Sequence, residues 1–494
     1  LSRLSFREKA LLLVGLAPIF VALLWYAVSW SFVWDEGFHL VAAQLIAGGL
    51  RPYLDFCFPQ TPLNAYANAA ILLVAGNHWR PVHVVAALYV CGAVFLVAHF
   101  VQSRLPPERW RTPCALAAAV LFGLNVVVVQ YGPTAQAYAI GMLMGTSAFR
   151  AALRAVSSRY VWFALLAGLC AGVAAGSTLL TAPVSLVLLV WMIWSHQIGS
   201  RVRKTAAYLV GCALPFAPVG WFYLQAPRQT LFNVLQYQAL FRRTNWGDAN
   251  LHDMDALTSW IASPATLMLI GFFAAAVIFL YRERHSDWPQ ARREFMLAAV
   301  LGVSLVLFIS TAHPTFDRYY SVAVPYFGIT AALGLYAAAS RLATPRHAWL
   351  AGGLVIALGW SIFLRALFDE REDEHWSDYE EMAQQIGEAT PIGANLYADE
   401  LIYFLLDRTP PEGMAFSYAA KLQLPADQEK LFHIRSQQEL KQQMQAGGFE
   451  TFQTCRDAIV DDFEPGKYFQ RHSEPGDCDI FWQPKQPPVS TGKR

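Results

Sequence analysis

Apolar positions run along the chain in blocks of about twenty residues, the length that crosses a hydrocarbon core of ~30 Å. They predict helices at roughly 9–31, 81–102, 112–130, 137–150, 160–176, 179–195, 205–224, 264–281, 296–312, 320–340 and 348–368. The pattern stops near Phe368, where "DEREDEHWSDYEEMAQQIGEAT" opens a tail of 126 residues with no block of spanning length. Within the tail, "ANLYADELIYFLLDRTPPEG" reads as a short strand followed by a helix, as in a small α/β domain. The expected fold class is therefore a polytopic α-helical membrane protein of about eleven transmembrane helices. Its body would be 1–368, with a folded C-terminal domain at 369–494.

Two apolar stretches do not fit the spanning pattern. "LNAYANAAILLVAG" (63–76) is too short to cross unaided. "FHLVAAQLIAGG" has its apolar residues at helical spacing. The second is expected to lie at the interface as a helix, and 63–76 to lie at the outer interface or to dip in and back, which makes the loop 32–80 a folded structure rather than a tether. A second long connection, 225–263, is expected as a loop. Connections of that length are more often functional than inert.

Charge then orients the segments. The loops alternate between a set holding eighteen basic residues and a set of short loops holding six: Arg51, Arg80, Arg228, Arg242, Arg243 and Arg318. The positive-inside rule puts the first set in the cytoplasm, so the N-terminus lies inside and eleven spans leave the tail outside. The first helix is expected to remain uncleaved, since its apolar run exceeds a usual signal h-region and no clear cleavage site follows. Overall the chain is 55% hydrophobic and 15% charged, against roughly 25% charged in soluble domains. The net charge of +1 carries no nucleic-acid footprint; the expected partner is the lipid bilayer. The tail alone is acidic, with 24 Asp and Glu against 12 Lys and Arg.

Cysteine usage is thin. Cys91, Cys114, Cys170 and Cys212 fall in spans and read as small apolar packing residues. Cys455 and Cys478 share the external tail, where an oxidising compartment permits a disulfide. Cys57 is then a lone external thiol. No Cys/His pattern predicts a structural zinc site.

The candidate chemistry lies in "WDEGFHLVAAQLIAGGLRPYLDFCFPQTPL". Charges this close to a hydrocarbon segment are costly unless water, a partner or a function holds them. Asp35, anchored directly after the first span, has the profile of a general base that takes the proton of a sugar hydroxyl. The competing reading is an N-cap for the helix that starts near Gly37. Glu36 is its acidic neighbour, aimed elsewhere on a helix. His39 sits four positions after Asp35, on the same helix face, as a metal partner or as a hydrogen-bonded side chain. Asp55, after Tyr53 in a Pro-bounded turn, would bind acceptor hydroxyls or hold the turn through backbone amides.

This stretch resembles the first external loop of GT-C superfamily glycosyltransferases, in particular bacterial members related to family 39 and the RgtA/B/C/D-like proteins. The matching features are Asp35-Glu36, the Gly49-x-x-Pro52-Tyr53-x-Asp55-Phe56 run, and Pro59 with Pro62-Leu63. The resemblance implies transfer of a sugar from a polyprenyl-phosphate carrier to an extracytoplasmic acceptor, usually with inversion. It assigns Asp35 as the base, with Glu36 beside it, and makes His39, Tyr53 and Asp55 candidates for substrate contact. The sequence is consistent with a lipid-borne donor, because it holds no G-x-G-x-x-G or P-loop fingerprint for a nucleotide. A lipid phosphate leaving group needs positive charge, and an Arg fork suits it. Arg51, Arg242, Arg243 and Arg318 are the candidates. Arg318-Tyr319 in "HPTFDRYYSVAVPY" matches an Arg-Tyr pair of the family; the alternative is an interfacial Arg paired with Asp317.

The sequence departs from the family in its second external loop, "VQYGPTAQAY", where several relatives carry a carboxylate. No cofactor is assigned, and dependence on a divalent metal is not expected, although Asp35, Glu36 and Asp55 are groups that bind one. The aromatic residues near the outer ends of spans read as an interfacial belt. The small residues of "LAGLCAGVAAG" read as close helix packing. Three other functions remain open: a lipid-linked oligosaccharide polymerase or ligase, a transporter, and a non-catalytic membrane scaffold. Transporters tend to show repeated halves and interrupted helices with polar residues at mid-membrane. Neither is visible here.

Overall fold

The computed structural model describes residues 4–106, 108–195, 198–242, 249–282, 288–342 and 344–485. The protein is a mostly helical, multi-span membrane protein with a small mixed sheet near its C-terminus. Every block expected to be helical is helical. Among the described residues six helices are long and apolar enough to cross a membrane: Phe6–Ser29, Trp79–Arg104, Arg201–Gln225, Pro264–Arg282, Asp317–Arg341 and Ala348–Asp369. The block expected at 112–130 is divided into Glu108–Gly123 and Val126–Tyr131, with Leu124 and Asn125 between them. The connection 225–263, expected as a loop, is helical in its described parts. Pro227 opens one helix, which continues as a π-helix over Phe232–Phe241, and a second helix covers Ala249–Ala262. Proline at the first helical position is pre-set for that geometry, and the apolar residues of "TLFNVLQYQALF" recur at helical spacing.

Contacts divide the chain into two compact units, and the division cuts across the composition break at Phe368. One unit comprises 1–31, 82–218 and 246–373. Its core is built by close helix packing on small residues. A Cβ on Gly168 would lie 2.0 Å from the Tyr208 carbonyl oxygen, and one on Gly211 would lie 2.3 Å from that of Leu165. The helices Trp162–Ser177 and Arg201–Ala213 therefore touch backbone to backbone, as the small residues of "LAGLCAGVAAG" predict. Gly334 meets the Phe272 carbonyl in the same way. One buried charge inside this unit is matched by backbone carbonyls. Lys204, fully buried, donates to the carbonyls of Ala155, Ser158 and Ile198 at 2.5–2.6 Å. It so satisfies chain ends that the helix Tyr138–Ser157 leaves open.

The other unit comprises 32–81, 219–245 and 374–494. It joins the first long loop, the start of the second and the tail. The loop forms the helices Glu36–Ala47 and Leu63–Ala75, as their spacing predicts. The tail forms a four-stranded sheet in the order β1-β2-β4-β3: β1 is Leu396–Tyr397, β2 Thr451–Thr454, β3 Phe469–Ser473 and β4 Asp479–Pro484. β1 pairs parallel with β2, and β4 pairs antiparallel with both β2 and β3. The helix Glu400–Leu405 follows β1, the strand-then-helix expected from "ANLYADELIYF". A disulfide joins Cys455 to Cys478.

Because Gly168 and Gly211 face carbonyl oxygens rather than flexible side chains, Gly211→Val should lower the unfolding free energy by about 3 kcal/mol or more. Gly271→Ala, where nothing lies within 4 Å of the added carbon, should stay within ~0.5 kcal/mol of the parent. Thermal unfolding of the purified protein in detergent checks both.

Candidate active site

The site is built on a turn. After the first helix ends at Ser29, the chain turns at Trp34–Asp35 and enters the helix Glu36–Ala47. Asp35 occupies the N-cap position with helical backbone angles, and its side chain makes no capping hydrogen bond. The capping alternative is thereby set aside: the backbone at Asp35 is not extended, so its carboxylate does not turn back onto the helix N–H groups. Instead the hydroxyl of Tyr418, from the tail, donates to Asp35 Oδ1 at 2.6 Å.

Local sequence makes this contact feasible. Gly37 admits the backbone of the tail helix: a Cβ there would lie 2.8 Å from the Leu401 amide nitrogen. Phe38 meets the ring of Phe416 edge-on at 5.1 Å and that of Tyr418 at 6.4 Å. His39 is buried and stacked on Phe38 at 4.2 Å. Glu36 is fully buried. At the far end of the loop, Trp79 stacks on Trp376 at 4.4 Å, and Arg80 grips Glu380 through two hydrogen bonds of 3.0 and 3.2 Å.

Behind Tyr418 lies a buried ion cluster. The Arg456 guanidinium sits 4.6 Å above the Tyr418 ring. It reaches Asp399 at 3.2 Å and Glu400 at 3.5 Å, and donates to Ser417 Oγ at 2.7 Å. The backbone N–H groups of Cys455 and Ser417 donate to Asp399 Oδ2 and Glu400 Oε1. Burial pushes the Tyr418 phenol well above its ordinary pKa, and the nearby Asp35 carboxylate adds to the rise. The hydroxyl therefore keeps its proton and remains a donor. Burial also raises the Glu400 carboxyl, with Arg456 opposing. For Arg456, burial works against the charge, but Asp399 and Glu400 outweigh it and the net shift is upward. Removing one member of such a buried set costs about 3–5 kcal/mol because it strands the others. The cluster is thus a rigid backing for the Tyr418 ring.

The other candidates fall as follows. Tyr53 is fully buried, in a left-handed backbone conformation (φ 73°), and its hydroxyl donates to the Gln60 carbonyl at 2.6 Å. Asp55 accepts from Arg51 Nε at 2.9 Å, Nη2 at 2.8 Å and backbone N at 2.7 Å. These bonds hold the Asp55 carboxyl below its usual range, against partial burial, and close the turn on itself. Arg242 donates to Gln238 at 3.1 Å, while Gln238 donates to the Pro59 carbonyl at 2.8 Å. Asn233 accepts from the Phe58 N–H at 2.8 Å, so the helix from Pro227 is stitched to the first loop. Cys57 is buried and burial pushes its thiol up. Arg243 lies outside the described residues. Asp35, Glu36, His39, Tyr53, Asp55 and Arg242 thus belong to one unit.

Arg318 and Tyr319 belong to the other unit. Arg318 lies on the 3-10 turn Asp317–Ala323, with its guanidinium 4.3 Å above the Phe316 ring. The Asp317 carboxylate accepts from the Arg318 backbone N–H at 2.6 Å. Tyr319 is buried, 6.3 Å from Tyr138. Asp253, in the second long connection, pairs with His313 and accepts from the Thr315 N–H at 2.6 Å, which fixes the approach to Arg318. Among the described residues one group of three side chains has metal-ligand spacing: His472, Glu474 and Asp479 on the tail surface, away from Asp35 in sequence and element.

Tyr418 and Arg456 are the residues that sequence reasoning missed. Tyr418 pairs with a partner 383 positions away, and no local pattern marks it. The only hint was the cysteine beside Arg456.

No family model and no curated protein matches the sequence. Solved structures do match. The chain is similar to ArnT from Cupriavidus metallidurans bound to undecaprenyl phosphate, with a TM-score of 0.66 and 14% identity over 96% of this chain and 97% of that one. It is similar to the oligosaccharyltransferase AglB from Archaeoglobus fulgidus in complex with an inhibitory peptide and a dolichol-phosphate, with a TM-score of 0.56 and 12% identity over 98% and 75%. It is also similar to the mycobacterial arabinofuranosyltransferase AftD, with a TM-score of 0.53 and 13% identity over 98% of this chain and 42% of that one. At these identities the likeness speaks for the fold alone, and it extends over nearly the whole of this chain.

Proposed function

We propose that the protein is a membrane glycosyltransferase that moves a hexose or pentose from a polyprenyl-phosphate carrier to an extracytoplasmic acceptor. The acceptor would be a glycolipid, polysaccharide or protein of the cell envelope, and the enzyme would reside in the inner (plasma) membrane. The observation that carries the reading is the Asp35 carboxylate, released from capping and held by Tyr418 on a fold that spans 96% of the chain in the ArnT comparison.

In this reaction an acceptor oxygen attacks the anomeric carbon while Asp35 takes the hydroxyl proton. The bond from that carbon to the phosphate oxygen breaks on the opposite face, and the polyprenyl phosphate leaves with the electron pair. Attack and departure on opposite faces invert the anomeric centre. A base in this role contributes roughly 10²–10⁴-fold. Tyr418 fixes the carboxylate by donating to its Oδ1. Arg318 and Arg242 supply positive charge for the leaving phosphate. Glu36, His39, Tyr53 and Asp55 act at one remove, shaping the loop; Tyr319 is kept as a candidate for donor contact, and Arg243 as a candidate for the same phosphate.

The compact unit formed by 32–81, 219–245 and 374–494 supports the orientation. Segments that pack together lie on one face of a membrane, and these are the segments that the basic-residue distribution assigns outside. That arrangement agrees with eleven spans, N-in and C-out, and with 63–76 as a helix that does not cross. The likeness to an oligosaccharyltransferase favours a second reading, in which the donor carries an oligosaccharide; turnover with a monosaccharide carrier excludes it.

Three variants test the reading in proteoliposomes supplied with lipid-linked sugar. Asp35→Asn should lower kcat by at least roughly 100-fold, and full transfer by folded variant removes Asp35 as the base. Tyr418→Phe should lower kcat roughly tenfold, with KM for the donor unchanged; a rise in KM alone contradicts a positioning role. Arg318→Ala should weaken donor binding and slow transfer, each roughly tenfold, measured by donor titration; unchanged affinity and turnover reject that role.

A further inference from the structure

The unit that contains most of the spanning helices holds a second charged site, on elements that carry neither Asp35 nor Arg318. A cavity of about 400 Å³ opens between the helices Trp79–Arg104, Tyr138–Ser157 and Trp162–Ser177. It lies at the ends that lead into the basic loops. Arg104, Arg150, Arg154 and His99 line it, and none of the described lining residues is a carboxylate.

The charge there is not balanced. Arg104 is paired with the buried Glu294 at 2.6 Å. Arg150 donates from Nη2 to His99 Nδ1 at 3.0 Å, so the imidazole accepts and adds no counter-charge. Arg154 is exposed at the rim. Three guanidinium groups thus share one carboxylate beside a low-dielectric interior, where like charges repel strongly. Such an arrangement is stabilised by an anion with several oxygen acceptors. Apart from Ser103 and Ser147 the rest of the wall is apolar, with Phe163 and Leu166 on the side that is open.

We propose that this cavity binds a phosphate group carried by an anionic lipid. The guanidinium groups take the phosphate oxygens, and Phe163 and Leu166 take the first carbons of the chain. A free phosphate would gain nothing from that wall, whereas methylenes buried against it would. Basic pockets between transmembrane helices at the end with the basic loops bind lipid head groups by this chemistry.

The test uses the full chain purified in detergent, with lipid retention read by native mass spectrometry. Phosphatidylglycerol should be retained in preference to phosphatidylcholine. Arg154→Gln and Arg150→Gln should each reduce phosphatidylglycerol retention roughly fivefold without changing that of phosphatidylcholine. Arg159→Gln, a basic residue outside the cavity, should change neither. Arg154 is exposed, so its variant keeps the test intact if Arg150→Gln fails to fold. Equal phosphatidylglycerol retention by Arg154→Gln and parent overturns the proposal, as does an equal loss in Arg159→Gln. Thermal stabilisation by millimolar inorganic phosphate, lost in Arg154→Gln, would overturn the lipid source and assign the same guanidinium groups to a free phosphate.

Discussion

A carboxylate beside a membrane has to be held, and here the holding group comes from the other end of the chain. The bond from Tyr418 to Asp35 needs the tail helix against Gly37, the aromatic contacts of Phe38, and an Arg456 cluster that keeps the Tyr418 ring in place. Each is a burial event that draws the first loop and the tail together. The cluster is the costly part, since its three charges are sheltered from water. Its geometry satisfies them through mutual pairing and through backbone N–H groups. The exposed Arg51–Asp55 pair, screened by water, sets only the shape of its own turn.

Much of this was legible in the chain. Blocks of apolar residues specify helices regardless of what they pack against, so all of them are found as helical segments, although the block at 112–130 is broken at Leu124–Asn125. The short segments at 38–49 and 63–76 were readable as helices for the same reason. Glycines in "LAGLCAGVAAG" announced close packing because a missing side chain has few other uses within a membrane.

What was not legible depended on partners remote in sequence. Asp35 fits both a cap and a base by local rules, and only the position of Tyr418 decides where its carboxylate points. Arg456 sits among acidic residues that look like a solvated tail, yet Asp399 and Glu400 are buried around it. The connection after Gln225 was read as a loop because its composition is mixed. Its apolar residues instead find a surface within the unit, with Phe232 stacked on Phe432 at 4.0 Å and Asn233 bonded to the Phe58 amide.

The near-contact at Gly37 has an implication for inheritance. With no side chain on one partner and a main-chain nitrogen on the other, there is no rotamer left to absorb a mismatch. The turn at Asp35 and the contour of the polypeptide near Leu401 must therefore change in step or not at all. A C-terminal domain borrowed from a cousin with the same fold would dock only if it carried that contour with it, so recombination between such proteins is expected to exchange both segments as one module.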